Sequence, residues 1–386
     1  MKIGIFTNNY LPNPYGVTGS VESFRRELEA QGHEVFIFAP FWKGYRDTNP
    51  KVFRYPSVDI NIKFKFPLAI PYSGKMDDII SRLDLDIIHS QHPNLLGTAA
   101  AKWVRRKKIP LVFTWHTLYD QYTNFVPLVP KKWAARWIIK KAVKYANRCD
   151  QIIVPTESVR PIIEEWGVTN KNIQAIPTGI EEKFYQDADG NSVRQKYGIK
   201  DDETVLLLVS RLTEEKNVEF LFDAITPVLK KNKKIKFLVA GDGYLKPKLE
   251  KILQDNNLSS QVIFAGIVSK EEIKNYYAAG DIFVYASKSE TQGMIISEAM
   301  YMGLPIVAVS APGVCDLVEN NQSGFLVPED REIFSQTVQK LIGNENLRRQ
   351  FSEKSKIIAR EKYTAKVCAE KMMEVYKKAI NTKLSS

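Results

Sequence analysis

The sequence predicts an α/β protein of two doubly wound, Rossmann-like domains facing each other across a crevice. Three observations predict it. Short apolar, β-branched runs alternate with helical stretches from end to end, the pattern of parallel strands joined by crossover helices. Those strands fall into two sets of five, one in each half of the chain. At 386 residues the chain is too long for one ordinary core and suits two domains of roughly 150–200 residues.

In the first half the strands are expected near 2–7, 34–39, 87–90, 111–115 and 151–155. In the second they are expected near 204–210, 236–240, 262–265, 282–286 and 305–309. Between Lys43 and Lys75 the pattern turns irregular, rich in Pro, Tyr, Phe and Lys, and reads as a long surface excursion beside the crevice. Pro177 and Gly179 punctuate the end of the fifth strand's neighbourhood. The expected domains are therefore 1–178 and 179–363. The last segment, 364–386, has helical spacing and is expected to pack back on the first domain.

Hydrophobic content of 44% is ordinary for a globular protein. No apolar run approaches the roughly 18 residues that span a bilayer. The N-terminus enters a strand directly, without the charged and apolar regions of a signal peptide. Cys149, Cys315 and Cys368 are odd in number and far apart, so neither a disulfide framework nor a zinc set is expected, and a reducing cytoplasm is. The net charge of +11 is unevenly spread. Residues 1–180 carry 25 Lys and Arg against 15 Asp and Glu, and the remainder 30 against 29. That asymmetry implies an anionic partner for the first half: nucleic acid, a membrane surface or a phosphorylated acceptor. No recognisable nucleic-acid-binding module accompanies the charge, so no nucleic acid is expected.

Ligands of open parallel sheets bind beyond the carboxyl ends of the strands. Four polar clusters lie there. The most informative runs from Asp281 to Met300: an apolar strand, a polar turn carrying Glu290, and a helix opened by Gly293 whose first turns carry Glu298. Two carboxylates can thus line one crevice, with the backbone N–H groups of Gln292, Gly293 and Met294 pointing into it at a helix N-terminus. The carboxylates accept bonds from sugar and ribose hydroxyls while the N–H groups hold phosphate, which is the equipment for gripping a nucleotide sugar. The second cluster, residues 210–217, offers Arg211 as a bidentate fork and Lys216 as a point charge. Fixed cations there lower the barrier to departure of a nucleoside diphosphate.

The third is the glycine turn Gly241-Asp242-Gly243, which serves equally as a plain strand-to-helix turn. The fourth, residues 15–21, carries Gly16 and Gly19 between the first strand and the first helix, where a backbone N–H can approach phosphate. It lacks the full dinucleotide spacing. His116 sits in addition at the end of an apolar strand in the first domain. His89 and His92 lie near another strand end, but their spacing from His116 is not that of a metal site, and no metal is expected. Asp84-Leu85-Asp86 precedes a strand and reads as a turn.

These residues resemble the GT-B glycosyltransferases of the retaining type known as family 4, over almost the whole chain. The resemblance rests on Glu290 and Glu298, Arg211 and Lys216, Gly16, His116 and the Gly241–Gly243 turn. It implies that Glu290 contacts donor-sugar hydroxyls and Glu298 the ribose. Arg211 and Lys216 would stabilise the leaving diphosphate, Gly16 would contact it through its backbone, and His116 would lie next to the transferred sugar. The N-terminal loop departs from the commoner paired-glycine form, since Val17 and Thr18 separate Gly16 from Gly19. Within the family, Ser289–Gly293 and the run Ile88-His89-Ser90-Gln91-His92-Pro93-Asn94-Leu95-Leu96-Gly97 are most similar to the bacterial diacylglycerol glucosyltransferases. That likeness implies transfer of glucose from UDP-glucose to diacylglycerol, with the α configuration kept and no metal or other cofactor. It also implies a cytoplasmic enzyme held peripherally on the inner face of the membrane.

An independent pattern points to a membrane partner. Residues 131–145 have helical character. Steps of about 100° place Ala135, Ile138, Ala142 and Tyr145 on one face. The outward set is Lys132, Trp133, Trp137, Lys140, Lys141 and Lys144. Tryptophans among lysines suit the headgroup layer of an anionic bilayer. The rival expectations are the same fold with a soluble or polysaccharide acceptor, a nucleotide-sugar epimerase, and a nucleic-acid-binding protein.

Overall fold

The structure, a computed structural model, describes residues 1–13, 16–62, 64–119 and 131–385, without the side chains of 60–66, 131, 132 and 134. The chain divides into two compact units, Met1–Gly179 with Ala365–Ser386, and Ile180–Thr364.

The first unit is built on a parallel sheet in the order β3-β2-β1-β6-β7-β8-β9. Its strands are β1 (Lys2–Phe6), β2 (Glu34–Pro40), β3 (Val52–Tyr55), β6 (Ile87–Ser90), β7 (Leu111–Thr114), β8 (Gln151–Val154) and β9 (Ile173–Ala175). Strands β6, β7 and β8 are buried at every position, because helices cover both faces of the sheet. One face packs under α1 (Gly16–Ala30) and α13 (Ala365–Leu384). Cys368, Ala369, Met372, Met373, Val375, Tyr376 and Ala379 of α13 join Ile3, Ile5, Ile37 and Ile153 there in one core. The other face carries Phe6, Phe38, Phe113, Trp115 and Ile152 against α3 (Leu96–Lys107) and α4 (Lys131–Ala146).

Ile180–Thr364 repeats the plan. Its parallel sheet runs β12-β11-β10-β13-β14-β15, from β10 (Thr204–Val209), β11 (Ile235–Ala240), β12 (Val262–Gly266), β13 (Ile282–Tyr285), β14 (Ile306–Val309) and β15 (Gly324–Val327). Each sheet reverses direction of winding once, between β1 and β6 and between β10 and β13, and ligands bind at such switch points.

The segment 43–75 differs from the expected irregular excursion. It contains β3, paired in register with β2, and an antiparallel hairpin of β4 (Ser57–Ile62) and β5 (Phe64–Ala69). Arg54 obscures β3 in the sequence. Its guanidinium is satisfied locally, by Asp47 at 2.5 and 2.8 Å and by the carbonyls of Pro40 and Leu11 at 2.8 Å. Strands β9 and β15 were also not anticipated. Both are short strands at the edges of their sheets, of three and four residues.

Candidate functional site

In the second unit the loop after β10 turns back through a 3-10 turn at Glu214–Lys216, and Asn217 (φ 53°) opens α7 (Val218–Lys231). The Asn217 amide donates to the carbonyl of Ala286, just past the end of β13, at 3.2 Å. That bond ties together the two loops flanking the switch point, and it delivers Lys216 to Glu290. Lys216 Nζ lies 2.5 Å from Glu290 Oε1, with both side chains only 13% exposed.

Two further donors converge on the same oxygen: the Tyr285 hydroxyl at 2.6 Å and Ser287 Oγ at 2.9 Å. Oε1 carries all three bonds and Oε2 none of them. Burial alone disfavours a charged carboxylate here. The Lys216 charge and the bonds from Lys216, Tyr285 and Ser287 outweigh burial and hold Glu290 below the usual carboxylate value. Burial, then the facing Glu290, pushes the Tyr285 hydroxyl well up, so it remains a donor. Neither Tyr285 nor Ser287 was assigned a role from the sequence, although both lie within five residues of Glu290. A tyrosine closing a buried strand reads as core.

The turn after Glu290 differs from expectation. The Gly293 N–H donates to the carbonyl of Gly313 at 3.0 Å and the Met294 N–H to that of Gln292 at 3.0 Å. Two of the three N–H groups expected to meet a ligand are therefore committed to the backbone. The cause is the loop after β14, which packs on this turn. Gly313 has φ 73°, and a Cβ there would lie 2.4 Å from the carbonyl oxygen of Glu290. Gly293 does stand as the N-cap of α10 (Met294–Tyr301), and Glu298 lies on that helix.

Glu298 receives the Tyr277 hydroxyl on Oε2 at 2.7 Å and a bond from Tyr185. Burial dominates and raises its pKa, against the bonds from Tyr277 and Tyr185 and the charge of Lys270. The two glutamates are thus held in opposite conditions, one with a buried cation and one among phenols. No sequence signal links Tyr185 to Glu298, which lies on a distant helix.

Arg211 is exposed and pairs with Glu215 at 3.1 Å. The Gly241–Gly243 turn is required by the chain's own packing. A Cβ on Gly241 would lie 1.8 Å from the carbonyl oxygen of Ser210, and one on Gly243 2.3 Å from that of Leu212. The turn therefore supports the Arg211 loop. A cavity of about 750 Å³ opens beside Asn217, lined by Glu219, Asp223, Glu329 and Glu332 among others. Its acidic wall is the wrong sign for a diphosphate.

In the first unit the switch point gathers Asn8 after β1, Gln91 and His92 after β6, and His116 after β7. Asn8 is a hub. Its N–H donates to His92 Nδ1 at 3.1 Å, its amide to Asn94 Oδ1 at 2.9 Å, and its Oδ1 accepts the Leu96 N–H at 3.0 Å. A backbone N–H can only donate, so neutral His92 carries its proton on Nε2. Burial holds the pKa of His92 down at about 4. His116 Nε2 lies 2.6 Å from Gln91 Oε1. Burial, then the nearby His92 and His89, lowers its pKa to about 3. His89 is spent structurally, with Nδ1 2.7 Å from the Tyr376 hydroxyl of α13 and Nε2 2.7 Å from Thr114 Oγ1. Gly16 is the first residue of α1, and a Cβ on Gly16 or Gly19 would meet no atom within 4 Å.

Along α4, Ala135, Ala142 and Tyr145 are buried, while Trp133 and Trp137 are 72% and 60% exposed beside exposed Lys140, Lys141 and Lys144. Lys141 Nζ sits 3.5 Å over the Trp137 ring. The side chain of Lys132 lies outside the described ones. Among the described residues no helix is long and apolar enough to cross a membrane.

Known proteins share this architecture. Residues 14–184 match the model of Glycosyltransferase Family 4, and residues 189–357 that of Glycosyl transferases group 1. The alpha-monoglucosyldiacylglycerol synthase of Streptococcus pneumoniae is 34% identical over 95% of this chain and 84% of its own length. The enzyme of the same name from Acholeplasma laidlawii is 32% identical over 86% of each. A GDP-mannose-dependent alpha-mannosyltransferase of Corynebacterium glutamicum is 27% identical over 85% of this chain and 76% of its own. Among solved structures, Anabaena HepE in complex with UDP superposes with a TM-score of 0.77, covering 98% of this chain and 100% of that one, at 18% identity. The chain therefore belongs to family 4 of the glycosyltransferases, in the GT-B fold, and is a hexosyltransferase similar to the diacylglycerol glucosyltransferases.

Proposed function

We propose that this enzyme transfers glucose from UDP-glucose, with the α configuration retained, to the hydroxyl of a membrane lipid such as 1,2-diacylglycerol. The observation that carries the donor side is the placement of Lys216 and Glu290 across the switch point, 2.5 Å apart. An ammonium has three N–H donors. One is spent on Glu290, which leaves the cation able to reach a diphosphate while Glu290 Oε2 meets a sugar hydroxyl. Arg211, on the same loop, shares the diphosphate charge, and Glu298 takes the ribose. Because Gly293 and Met294 spend their N–H groups on carbonyls, the proposal gives them, with Gln292, the task of holding Glu290 in place. In the first unit it assigns Gly16 to the diphosphate and His116 to the transferred sugar.

In the reaction the bond from C1 to the β-phosphate oxygen breaks, the acceptor oxygen bonds C1 on the same face, and its proton passes to the leaving diphosphate. Arg211 and Lys216 supply the positive charge, so the reaction needs no metal ion. Two supports favour a lipid acceptor: the relatives at 34% and 32% identity are named for a glucolipid product, and α4 exposes tryptophans among lysines. The enzyme would then sit peripherally on the cytoplasmic face of the membrane.

The test is transfer from radiolabelled UDP-glucose, with and without vesicles of diacylglycerol plus an anionic lipid, beside a GDP-mannose arm. Label entering the organic phase only with vesicles supports both donor and acceptor. Turnover without lipid labelling sinks the acceptor, and labelling only from GDP-mannose sinks the donor.

A further inference from the structure

Of the three histidines at the carboxyl edge of the first sheet, His89 is spent structurally and His116 is assigned to the transferred sugar. His92 is left without a role, yet the loop after β6 pins it from several sides. Its Nδ1 accepts the Asn8 N–H at 3.1 Å, and its carbonyl accepts Ser90 Oγ at 2.7 Å. The chain closes tightly on that carbonyl, since a Cβ on Gly97 would lie 1.9 Å from its oxygen. Asn8 is fixed in turn. Its amide donates to the carbonyl of Asn94 at 3.1 Å and to Asn94 Oδ1 at 2.9 Å, and its Oδ1 accepts the Leu96 N–H at 3.0 Å. The Gln91 N–H, one residue before His92, donates to the carbonyl of Phe6 at 2.8 Å. Strands β1 and β6 are parallel neighbours, so these bonds lock the ring to the sheet at its switch point.

The locking decides the chemistry of the other end of the ring. Because Nδ1 accepts, neutral His92 carries its proton on Nε2. That N–H meets no partner among the described residues, and the residue is only half-buried, so a ligand can reach it. An N–H fixed in direction before the ligand arrives is a preorganised donor. It is also an uncharged one, because burial keeps the pKa of the ring at about 4. A cation in this place would compete for the diphosphate, whereas a neutral N–H donates to an alcohol oxygen as readily as to a phosphate one. His116 lies close enough for His92 to lower its basicity, which places the free N–H beside the sugar.

We propose that His92 is a further substrate-contacting residue, whose Nε2–H donates to an alcohol oxygen of the reacting pair, in the transferred sugar or in the acceptor. The inference rests on the glycosyl-transfer reading above and deepens it.

Two amide variants divide the ring between its two nitrogens. In H92N the short side chain puts an oxygen where Nδ1 accepts from Asn8 and leaves no donor at the Nε2 position. In H92Q the longer side chain carries an N–H to the Nε2 position and gives up the bond from Asn8. The full chain is assayed with UDP-glucose and with GDP-mannose, for transfer to diacylglycerol vesicles and, without vesicles, for release of free sugar to water. Melting temperatures are measured alongside. H92N should lose roughly tenfold in kcat/KM, the worth of one neutral hydrogen bond, at a melting temperature close to that of the wild type. H92Q should keep more of the rate at a lower melting temperature. An equal loss in transfer and in sugar release puts the oxygen in the transferred sugar, and a loss confined to transfer puts it in the acceptor. Wild-type kcat/KM in H92N, or rates that follow melting temperature across the two variants, would make His92 structural only and overturn the proposal, with the glycosyl-transfer reading left standing. If the wild type turns over only GDP-mannose, the donor changes and the same comparison decides on that sugar. If it turns over neither, the reading beneath falls and the inference falls with it.

Discussion

Glu290 shows how a single buried carboxylate is kept usable. Burial in the turn between β13 and α10 removes it from water, which by itself would favour the protonated form. Three donors on Oε1, with the Lys216 charge, reverse that preference, and none of the three takes Oε2, the oxygen that the proposal gives to the sugar. Replacing Glu290 by Ala removes charge-assisted bonds worth about 1.5–3 kcal/mol each. Transfer should fall by about 100- to 1,000-fold or more while the melting profile keeps its cooperativity; near-normal turnover would sink the assignment. Tyr285→Phe tests the support. Losing one donor raises the Glu290 pKa toward its ordinary value. The acid limb of the kcat/KM profile should therefore move to higher pH, with about a tenfold drop in kcat. A Tyr197→Phe control, which loses the hydroxyl's contacts with the Tyr276 hydroxyl at 3.1 Å and with Lys196, both away from Glu290, should leave the limb in place. An unmoved limb in Tyr285→Phe would assign that hydroxyl to packing alone.

At the scale of elements, α4 and α13 separate two uses of a helix face. Helix α4 buries Ala142, Tyr145 and Ala146 and leaves Trp133 and Trp137 outside. Each lysine near an anionic surface contributes about 1 kcal/mol. The triple variant K140Q/K141Q/K144Q should therefore lose roughly 100-fold in binding to anionic vesicles at low salt and little on neutral ones; equal losses on both would refute an electrostatic role. Helix α13 lays its apolar face in the core of the first unit, and its Tyr376 hydroxyl meets His89 Nδ1. Tyr376→Phe leaves a buried ring nitrogen unpaired, at a cost of about 1–3 kcal/mol. The melting temperature should drop by about 2–4 °C per kcal/mol. His89 has a pKa near 3 and is neutral at both pH 6 and pH 8, so the drop should be the same at the two values. A drop confined to one pH would contradict the neutral ring.

At the scale of the whole molecule, each unit repeats one rule: polar side chains collect where a parallel sheet reverses its winding. The second unit places Lys216 and Glu290 there, and the first places Asn8, His92 and His116. In the proposed reaction Arg211 and Lys216 meet the leaving-group charge, so chelation of divalent ions with EDTA should leave the rate of transfer unchanged. A loss restored by Mg²⁺ or Mn²⁺ would show that these cations do not suffice.

Much of this was legible in the sequence for a physical reason. Parallel strands covered on both faces must be continuously apolar, so all ten anticipated strands have counterparts whose ends agree to within a residue. Polar side chains cluster beyond their carboxyl ends, which is why Arg211, Lys216, Glu290 and His116 stand out by position. The helical period alone separated Trp133 and Trp137 from Ala142 and Tyr145. Other features depend on partners far apart in the chain, and only the tertiary structure decided them. Tyr185 meets Glu298 across 113 positions and Tyr376 meets His89 across 287. Gly313 takes the Gly293 N–H that the local pattern had offered to a ligand. Local pattern determines which residues share a face, whereas which face is covered depends on what the rest of the chain brings to it.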